Sequence, residues 1–209
     1  MDITQLLNSG LGQQIINGIG GQVGTSEKET SSVISASLPV ILGMLQKNAS
    51  SEDGASGIMN ALNKHDGSIL DNLTGFLNSG DTSDGNGILG HILGGNKENV
   101  ENSISKQTGV SSFDVSKIIA MLAPIVMGYL GRQTKNENVT SGSGLGGVLG
   151  GLLGNAGGAS SVGGGILTSI LDQDGDGQLG VGDVLSAVTG SQKKSGGLGG
   201  LLGSIFGRK

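Results

Sequence analysis

An internal repeat constrains the fold of this chain more than any other feature. The segment VISASLPVILGML (residues 33–45) recurs as IIAMLAPIVMGYL (residues 118–130), 85 positions later. The same shift holds over about thirty residues and aligns these pairs: Pro39 with Pro124, Gly43 with Gly128, Ile15 with Val100, Ile19 with Ile104, Gln22 with Gln107 and Gly24 with Gly109. Because a single offset aligns so many residues, we infer that a helical unit has been duplicated.

Each copy of the repeat reads as helix, turn, helix. Ser26 followed by Glu29, and Ser111 followed by Asp114, are the residues expected at the start of a helix. Apolar residues then recur at helical spacing in the first copy: Val33, Ile34, Leu38, Ile41, Leu42 and Leu45. The second copy is apolar nearly all round, so we expect it to be the more deeply buried helix. The fold class predicted from this pattern is all-α.

A proline lies in the middle of each long predicted helix, at Pro39 and Pro124. Proline removes a helical hydrogen bond and is a common cause of kinks. A glycine follows four residues later in both copies, and we interpret this pairing as two kinked helices that cross closely where a Cβ would obstruct. The alternative is a hinge or a ligand groove at the kink.

The segment DQDGDGQLGVGD (residues 172–183) has the spacing of a calcium-binding loop. Calcium takes six to eight oxygen ligands, and a 12-residue loop supplies them from fixed positions. The residues at loop positions 1, 3, 5, 7 and 12 are Asp172, Asp174, Asp176, Gln178 and Asp183. Gly177 at position 6 permits the sharp turn, and Gln178 offers its backbone carbonyl. Asp183 stands where such loops usually have Glu, which favours weaker binding or tolerance of magnesium.

The alternative reading of this loop is a polar turn without a metal ion, but its crowded carboxylates would then repel one another. A faint relative, LNKHDGSILDNL (residues 62–73), keeps Asp66 and Gly67 but has Leu62, Lys64 and Leu73 where ligands belong. We expect this degenerate loop not to bind. A single intact loop favours structural stabilisation over calcium sensing.

Glycine and leucine alternate in short runs, and the chain contains 43 Gly in 209 residues. LGGLLG occurs at residues 149–154 and again at 198–203, with a looser version, ILGHILGG, at 88–95. These runs are too short to span a bilayer. The C-terminal run, with Phe206 opposed by Arg208 and Lys209, predicts either a membrane-surface or partner-binding helix, or a docked or frayed tail.

These patterns divide the chain into four parts. Residues 1–135 form the duplicated helical domain, and 136–160 form a flexible Gly-rich linker. Residues 161–190 form a helix-loop-helix around the calcium loop, and 191–209 form a basic Gly/Leu tail.

Composition excludes several classes of function. The chain has no Cys and no Trp, and a net charge of −5. Thiolate chemistry is therefore excluded, and a nucleic-acid-binding surface is disfavoured. His65 and His91 have no evident catalytic partner, so we expect no enzyme. The N-terminus shows neither a signal peptide nor a spanning segment, which favours a cytoplasmic protein.

The Pro-containing helices, the HDGSILDNLTGFL segment, the ILGHILGG run and the late DQDGDG loop together resemble the YidB-like family of bacterial proteins, a domain of unknown function. The resemblance covers most of residues 1–135. It implies an all-α fold and a bacterial source, and it implies no catalytic residues. The functional expectation is a non-enzymatic protein that binds one calcium ion, with a protein partner and an oligomeric state that the sequence does not specify. The alternative is a membrane-surface or self-assembling protein that uses the Gly/Leu segments.

Overall fold

The computed structural model describes residues 8–155, with side chains as far as Leu153. The chain divides into two compact units, Met1–Ile170 and Leu171–Lys209, and all described residues lie in the first. Within residues 8–155 the regular elements are helices, and no strand occurs. The α-helices are α1 (Gly10–Val23), α2 (Glu27–Ala49), α3 (Glu52–Lys64), α4 (Ser68–Asp71), α5 (Leu73–Ser79), α6 (Ser83–Leu93), α7 (Lys97–Thr108), α8 (Ser112–Asn136) and α9 (Gly142–Asn155), with a 3₁₀ turn at Gly94–Asn96 between α6 and α7. The predicted all-α class is confirmed for this region.

Two long helices, α2 and α8, form the centre of the domain, and the other helices pack around them. The local chemistry that starts them is the same. Ser26 Oγ accepts from Glu29 N at 3.3 Å, and Ser111 Oγ accepts from Asp114 N at 3.1 Å. In α2 the Glu29 carboxylate also accepts from Ser26 N at 2.8 Å, which completes a capping box. These caps satisfy amide groups that a helix end leaves without partners.

The helix that precedes each long helix ends in the same way. Gly24 closes α1 with φ 85°, and Gly109 closes α7 with φ 76°. This left-handed conformation is strained for residues with a side chain, so glycine is the expected residue at both turns. The two turns are 85 positions apart, as are the two serine caps, and each turn leads directly into a long central helix.

Both central helices continue through their prolines and are buried over most of their length. The buried residues of α8 are Val115, Ile118, Ile119, Ala120, Met121, Leu122, Ala123, Pro124, Ile125, Val126, Met127, Gly128, Leu130, Gly131 and Thr134. Helix α8 is also the one described helix long and apolar enough to cross a membrane, but 72% of its apolar window is buried inside the domain. This burial is typical of a core helix. The kinks predicted at the two prolines stay predictions.

The contact at Gly128 differs from the predicted close crossing of the two central helices. A Cβ at this position would lie 2.5 Å from Cγ2 of Ile69, and Gly67 Cα would be 3.6 Å away. The close neighbours are therefore the residues around α4, rather than the other central helix. A Cβ here would therefore press on the Ile69 side chain of α4 rather than on a crossing helix.

Helix α9 lies within the segment that the sequence predicted to be a flexible Gly-rich linker, residues 136–160. It packs against α2, α3 and α8. Leu145 and Leu149 are fully buried, and Val148 is 8% exposed. These side chains share one helical face, and a Cβ at Gly146, Gly147 or Gly151 would meet nothing within 4 Å. The described part of this segment therefore belongs to the helical domain, contrary to the expectation of a free connector.

Candidate functional site

The predicted calcium ligands Asp172, Asp174, Asp176, Gln178 and Asp183 lie outside the described residues. Their arrangement as a metal site therefore stays a prediction. Within residues 8–155, no group of three or more His, Asp or Glu side chains is placed to hold a metal ion. The described domain offers three other features that bear on function: the degenerate loop, a groove and an apolar cavity.

The degenerate loop, residues 62–73, folds around Asp66. Its Oδ1 accepts a hydrogen bond from Ser68 N at 3.1 Å, and Gly67 has φ 94°. The backbone hydrogen bond from Ser68 is the main reason that the pKa of Asp66 lies below its ordinary value, with Lys135 contributing in the same direction. Asp66 is therefore held in its charged form by its own turn.

Cationic side chains of α8 bind this loop. Arg132 Nη2 donates to the Gly67 carbonyl at 2.8 Å and to Asp71 Oδ1 at 2.7 Å. Lys135 Nζ lies 3.4 Å from Asp66 Oδ2. The two loop carboxylates thus have protein cations as partners. That the loop binds no metal ion stays a prediction, which rests on its missing ligand residues.

The loop also approaches the backbone of α8 closely. A Cβ on Gly131 would overlap the carbonyl oxygen of His65, and a Cβ on Gly67 would lie 3.0 Å from Arg132 Cβ. The lack of a side chain at Gly131 allows the loop backbone to approach α8 closely, and Arg132 then reaches the Gly67 carbonyl. This contact was not predicted from the sequence, in which the basic residue directly after Gly131 is the local signal.

A groove of about 790 Å³ runs between α3 and α6. Its floor comes from the central helices, through Leu45 of α2 and Met127 of α8. Asn48 of α2 donates to the carbonyl oxygen of Ile92, near the C-terminal end of α6, at 3.1 Å. Gly57 and Gly87 face the groove from opposite walls, and a Cβ at either would meet nothing within 4 Å. The groove thus has an apolar floor and open backbone along its walls.

Both histidines of the chain line this groove. His65, at the end of α3, has Nδ1 3.9 Å from Asp84 Oδ2 on α6, and His91 lies further along α6. Within the described residues, no hydroxyl group is hydrogen-bonded to either imidazole. Lys64 also faces the groove. This set can bind polar groups of a ligand. No sequence pattern predicted that the two histidines, 26 positions apart, would share a surface.

A second, smaller cavity of about 60 Å³ is lined only by apolar atoms. Its walls come from α1, α2, α8 and α9, together with Leu70 of α4. Residues that line it include Ile15, Leu38, Leu42, Leu130 and Leu152. With no polar group to hold water, such a space favours an apolar side chain as its occupant.

Comparison with models of known protein families gives one match for this chain. Residues 5–133 match the model of a family described as "Bacterial protein of unknown function (DUF937)". The match covers more than half of the chain, so the protein belongs to this family. The family resemblance drawn from the sequence is confirmed, while the predicted calcium loop lies outside the matched residues. Comparison with curated proteins and with solved structures gives no match.

Proposed function

We propose that this family member is a non-enzymatic protein that binds one calcium ion through residues 172–183. The observation that carries the proposal is the spacing of four carboxylates and one glycine in this segment: Asp172, Asp174, Asp176, Gly177 and Asp183. This spacing supplies oxygen ligands at the positions that a 12-residue calcium loop uses. Carboxylates held so close together repel one another unless a cation lies between them.

The degenerate loop supports a count of one ion. Its carboxylates, Asp66 and Asp71, are paired with Lys135 and Arg132. Its loop positions 1, 3 and 12 hold Leu62, Lys64 and Leu73, which offer no side-chain oxygen. Calcium loops that act as sensors usually work in pairs. A single loop is better suited to hold the C-terminal part of the chain in a defined structure than to signal.

The test is calorimetric titration of calcium into the full chain, the variants Asp174→Ala and Asp183→Ala, and the matched control Asp66→Ala. We expect one binding event in the full chain and in the control, and loss or strong weakening in the other two variants. Heat that persists unchanged in Asp174→Ala and Asp183→Ala would overturn the ligand assignment. Titration with magnesium would show whether Asp183 at the last position relaxes the preference for calcium.

The alternative function is contact with a membrane surface or self-assembly through the Gly/Leu segments. The basic residues of the tail favour it: Lys193, Lys194, Arg208 and Lys209 occur in residues 191–209, which contain no acidic residue. Such a tail is attracted to anionic lipid. The first LGGLLG run is a poorer candidate, because Leu149 is buried in the core. Sedimentation with anionic vesicles, comparing the full chain with one ending at Gln192, tests this function. Equal and negligible binding by both chains would rule it out.

A further inference from the structure

The internal repeat relates the groove between α3 and α6 to the apolar cavity. Its offset of 85 positions aligns Leu42 with Met127, and Leu45 with Leu130. Met127 and Leu45 form the floor of the groove, whereas Leu42 and Leu130 line the cavity. The two sites therefore occupy equivalent places on the central helices, and each is built on one residue from either copy of the repeat.

These equivalent places differ in size and chemistry. The cavity has a volume of about 60 Å³, and leucines of α1, α4 and α9 close it: Leu11, Leu70 and Leu152. Such filling is what a close-packed protein interior requires. The groove has a volume of about 790 Å³, and histidine, lysine and aspartate line its walls. Packing of the duplicated helices does not require a site to stay open and polar, and such departures are expected where a protein binds something.

The charged groups of the groove are concentrated at one of its ends. His65 Nδ1 lies 3.9 Å from Asp84 Oδ2 there, and Lys64 precedes His65 in the chain. His91 is seven residues after Asp84 on α6, so roughly 10 Å of helix separates the two at 1.5 Å per residue. The apolar floor lies between the two walls, so the groove offers a charged end followed by an apolar strip.

The charge balance in this lining favours an anion. Among the described residues that line the groove, Asp84 is the one carboxylate, and it has His65 as its partner. Lys64 is exposed and belongs to none of the ion pairs found in residues 8–153. Its ammonium group can therefore donate to a carboxylate of a ligand, and ionised groups form the stronger hydrogen bonds.

The dimensions of the groove favour a small ligand over a protein. Ile58, Ile88 and Ile92 line it but are each at most 9% exposed, so the apolar strip is narrow. A stable protein interface needs roughly 800 Å² on each partner. Small-molecule sites have volumes of roughly 300–1,000 Å³, with an apolar lining and a few polar groups that fix the orientation of the ligand. The groove matches this second description.

We propose that the groove between α3 and α6 binds a small amphipathic carboxylate. The ligand carboxylate accepts a hydrogen bond from Lys64 Nζ, and its aliphatic body lies over Leu45 and Met127 toward His91. Gly57 and Gly87 leave room for this body, because neither wall projects a side chain at these points. Binding at this site does not involve the calcium loop.

Octanoate is a suitable probe, because its extended chain is comparable in length to the groove. Binding is followed by nuclear magnetic resonance of the full chain labelled at its methionine methyl groups. Met127 reports on the floor, while Met44 and Met121, which are buried and do not line the groove, are internal controls. We expect octanoate to cause a saturable shift at Met127. Octanol, which lacks the charge, and octylamine, which reverses it, should bind several-fold more weakly, and acetate, which lacks the chain, should cause no shift.

Two pairs of variants locate the site. Lys64→Gln should weaken octanoate binding about two- to fivefold, as expected for an exposed ion pair, whereas Lys106→Gln on α7 should not change it. Gly57→Leu places a side chain in the groove and should abolish the Met127 shift. Gly21→Leu on α1 is its control, because a Cβ at Gly21 also meets nothing within 4 Å. Circular dichroism verifies that the helical fold is retained in all four variants.

Several results would overturn the proposal. Equal binding of octanol and octanoate would mean that charge plays no part, and tighter binding of octylamine would assign the site to Asp84. Octanoate binding that persists in Gly57→Leu would place the ligand elsewhere, and the lack of a saturable Met127 shift would exclude this ligand class. None of these results affects the calcium titration, so the two proposals fail independently.

Discussion

Gly85 of α6 lies directly against the backbone of α8, so Gly85→Ala is a strong perturbation of this helix contact. The added Cβ would overlap the carbonyl oxygen of Ala120 and come within 3.1 Å of its Cα. Both atoms belong to the backbone of a buried helix, so no side chain can rotate to make room. The contact can be relieved only if α6 moves away from α8.

The cost of that movement follows from what α6 buries. Ile88, Leu89, Ile92 and Leu93 are each at most 8% exposed. Burying one such side chain fully contributes about 1.5–3 kcal/mol, so complete loss of α6 packing sets an upper limit of several kcal/mol. A partial shift of α6 is comparable to the overpacking of a protein core, which lowers the free energy of unfolding by about 1–3 kcal/mol. We therefore expect Gly85→Ala to lower the free energy of unfolding by about 1–3 kcal/mol, as overpacking does, and by more only if α6 detaches.

Gly87→Ala is the matched control on the same helix. A Cβ there meets nothing within 4 Å. Alanine in a helix interior is favoured over glycine by about 0.5–1 kcal/mol, so this variant should be slightly more stable than the parent chain. The two substitutions are chemically identical and two residues apart, yet their effects should have opposite signs.

Urea unfolding followed by far-ultraviolet circular dichroism measures both variants, because the chain has no Trp to report by fluorescence. A change in the transition midpoint at constant m-value is a change in stability. If Gly85→Ala is neutral, or raises stability as Gly87→Ala does, the close approach of α6 to α8 is incorrect.

Two further predictions concern charged groups. The hydrogen bond from the Ser26 side chain is the main reason that the pKa of Glu29 lies below its ordinary value of 4.5. Its stabilising contribution is present above that value and is lost as the pH falls below it, so acid titration of Glu29→Gln should show a shallower loss of stability. Arg132→Met removes an exposed pair with Asp71 and the hydrogen bond to the Gly67 carbonyl, and should cost about 1–2 kcal/mol in urea unfolding. Lys135→Met, with a longer contact, should cost less; a larger loss would contradict the geometry.

The starts of the long helices could be predicted from sequence because their determinants are local. A serine cap and its partner three residues later fix a helix start without help from the rest of the chain. Ser26 and Ser111 both cap as expected. The all-α class follows in the same way from apolar residues at helical spacing, which a sequence displays directly.

Contacts between distant residues could not be predicted. Arg132 binds Gly67 and Asp71, which are more than sixty residues away in the sequence. The residues next to Arg132 in the sequence do not indicate these partners. The repeat pairs Gly128 with Gly43, and that pairing predicts two helices that cross closely. In the structure the neighbour of Gly128 is Ile69. That contact depends on how the degenerate loop, residues 62–73, packs against α8. A close backbone approach can be inferred from glycine, but the approaching segment cannot.

Helix α9 shows where intrinsic propensity misleads. Each glycine in a helix interior costs about 1 kcal/mol relative to alanine, so a run such as GSGLGGVLGGLL favours a flexible chain when taken alone. The spacing of Leu145, Val148, Leu149 and Leu152 gives the segment one apolar face, and tertiary packing of that face outweighs the propensity. The physical claim is that burial, rather than sequence preference, keeps these residues helical.

Leu149→Ala tests that claim. Leu149 is fully buried against the central helices. Removing a buried leucine costs about 2–5 kcal/mol through lost transfer energy and the cavity left behind. The same substitution in a free connector would change nothing measurable. Gly147→Ala, with nothing within 4 Å of its Cβ, is the control and should gain up to about 1 kcal/mol if the segment is helical. If neither variant changes the free energy of unfolding, residues 142–153 are a linker. If Leu149→Ala lowers it and Gly147→Ala raises it, the helical domain extends well beyond residue 135.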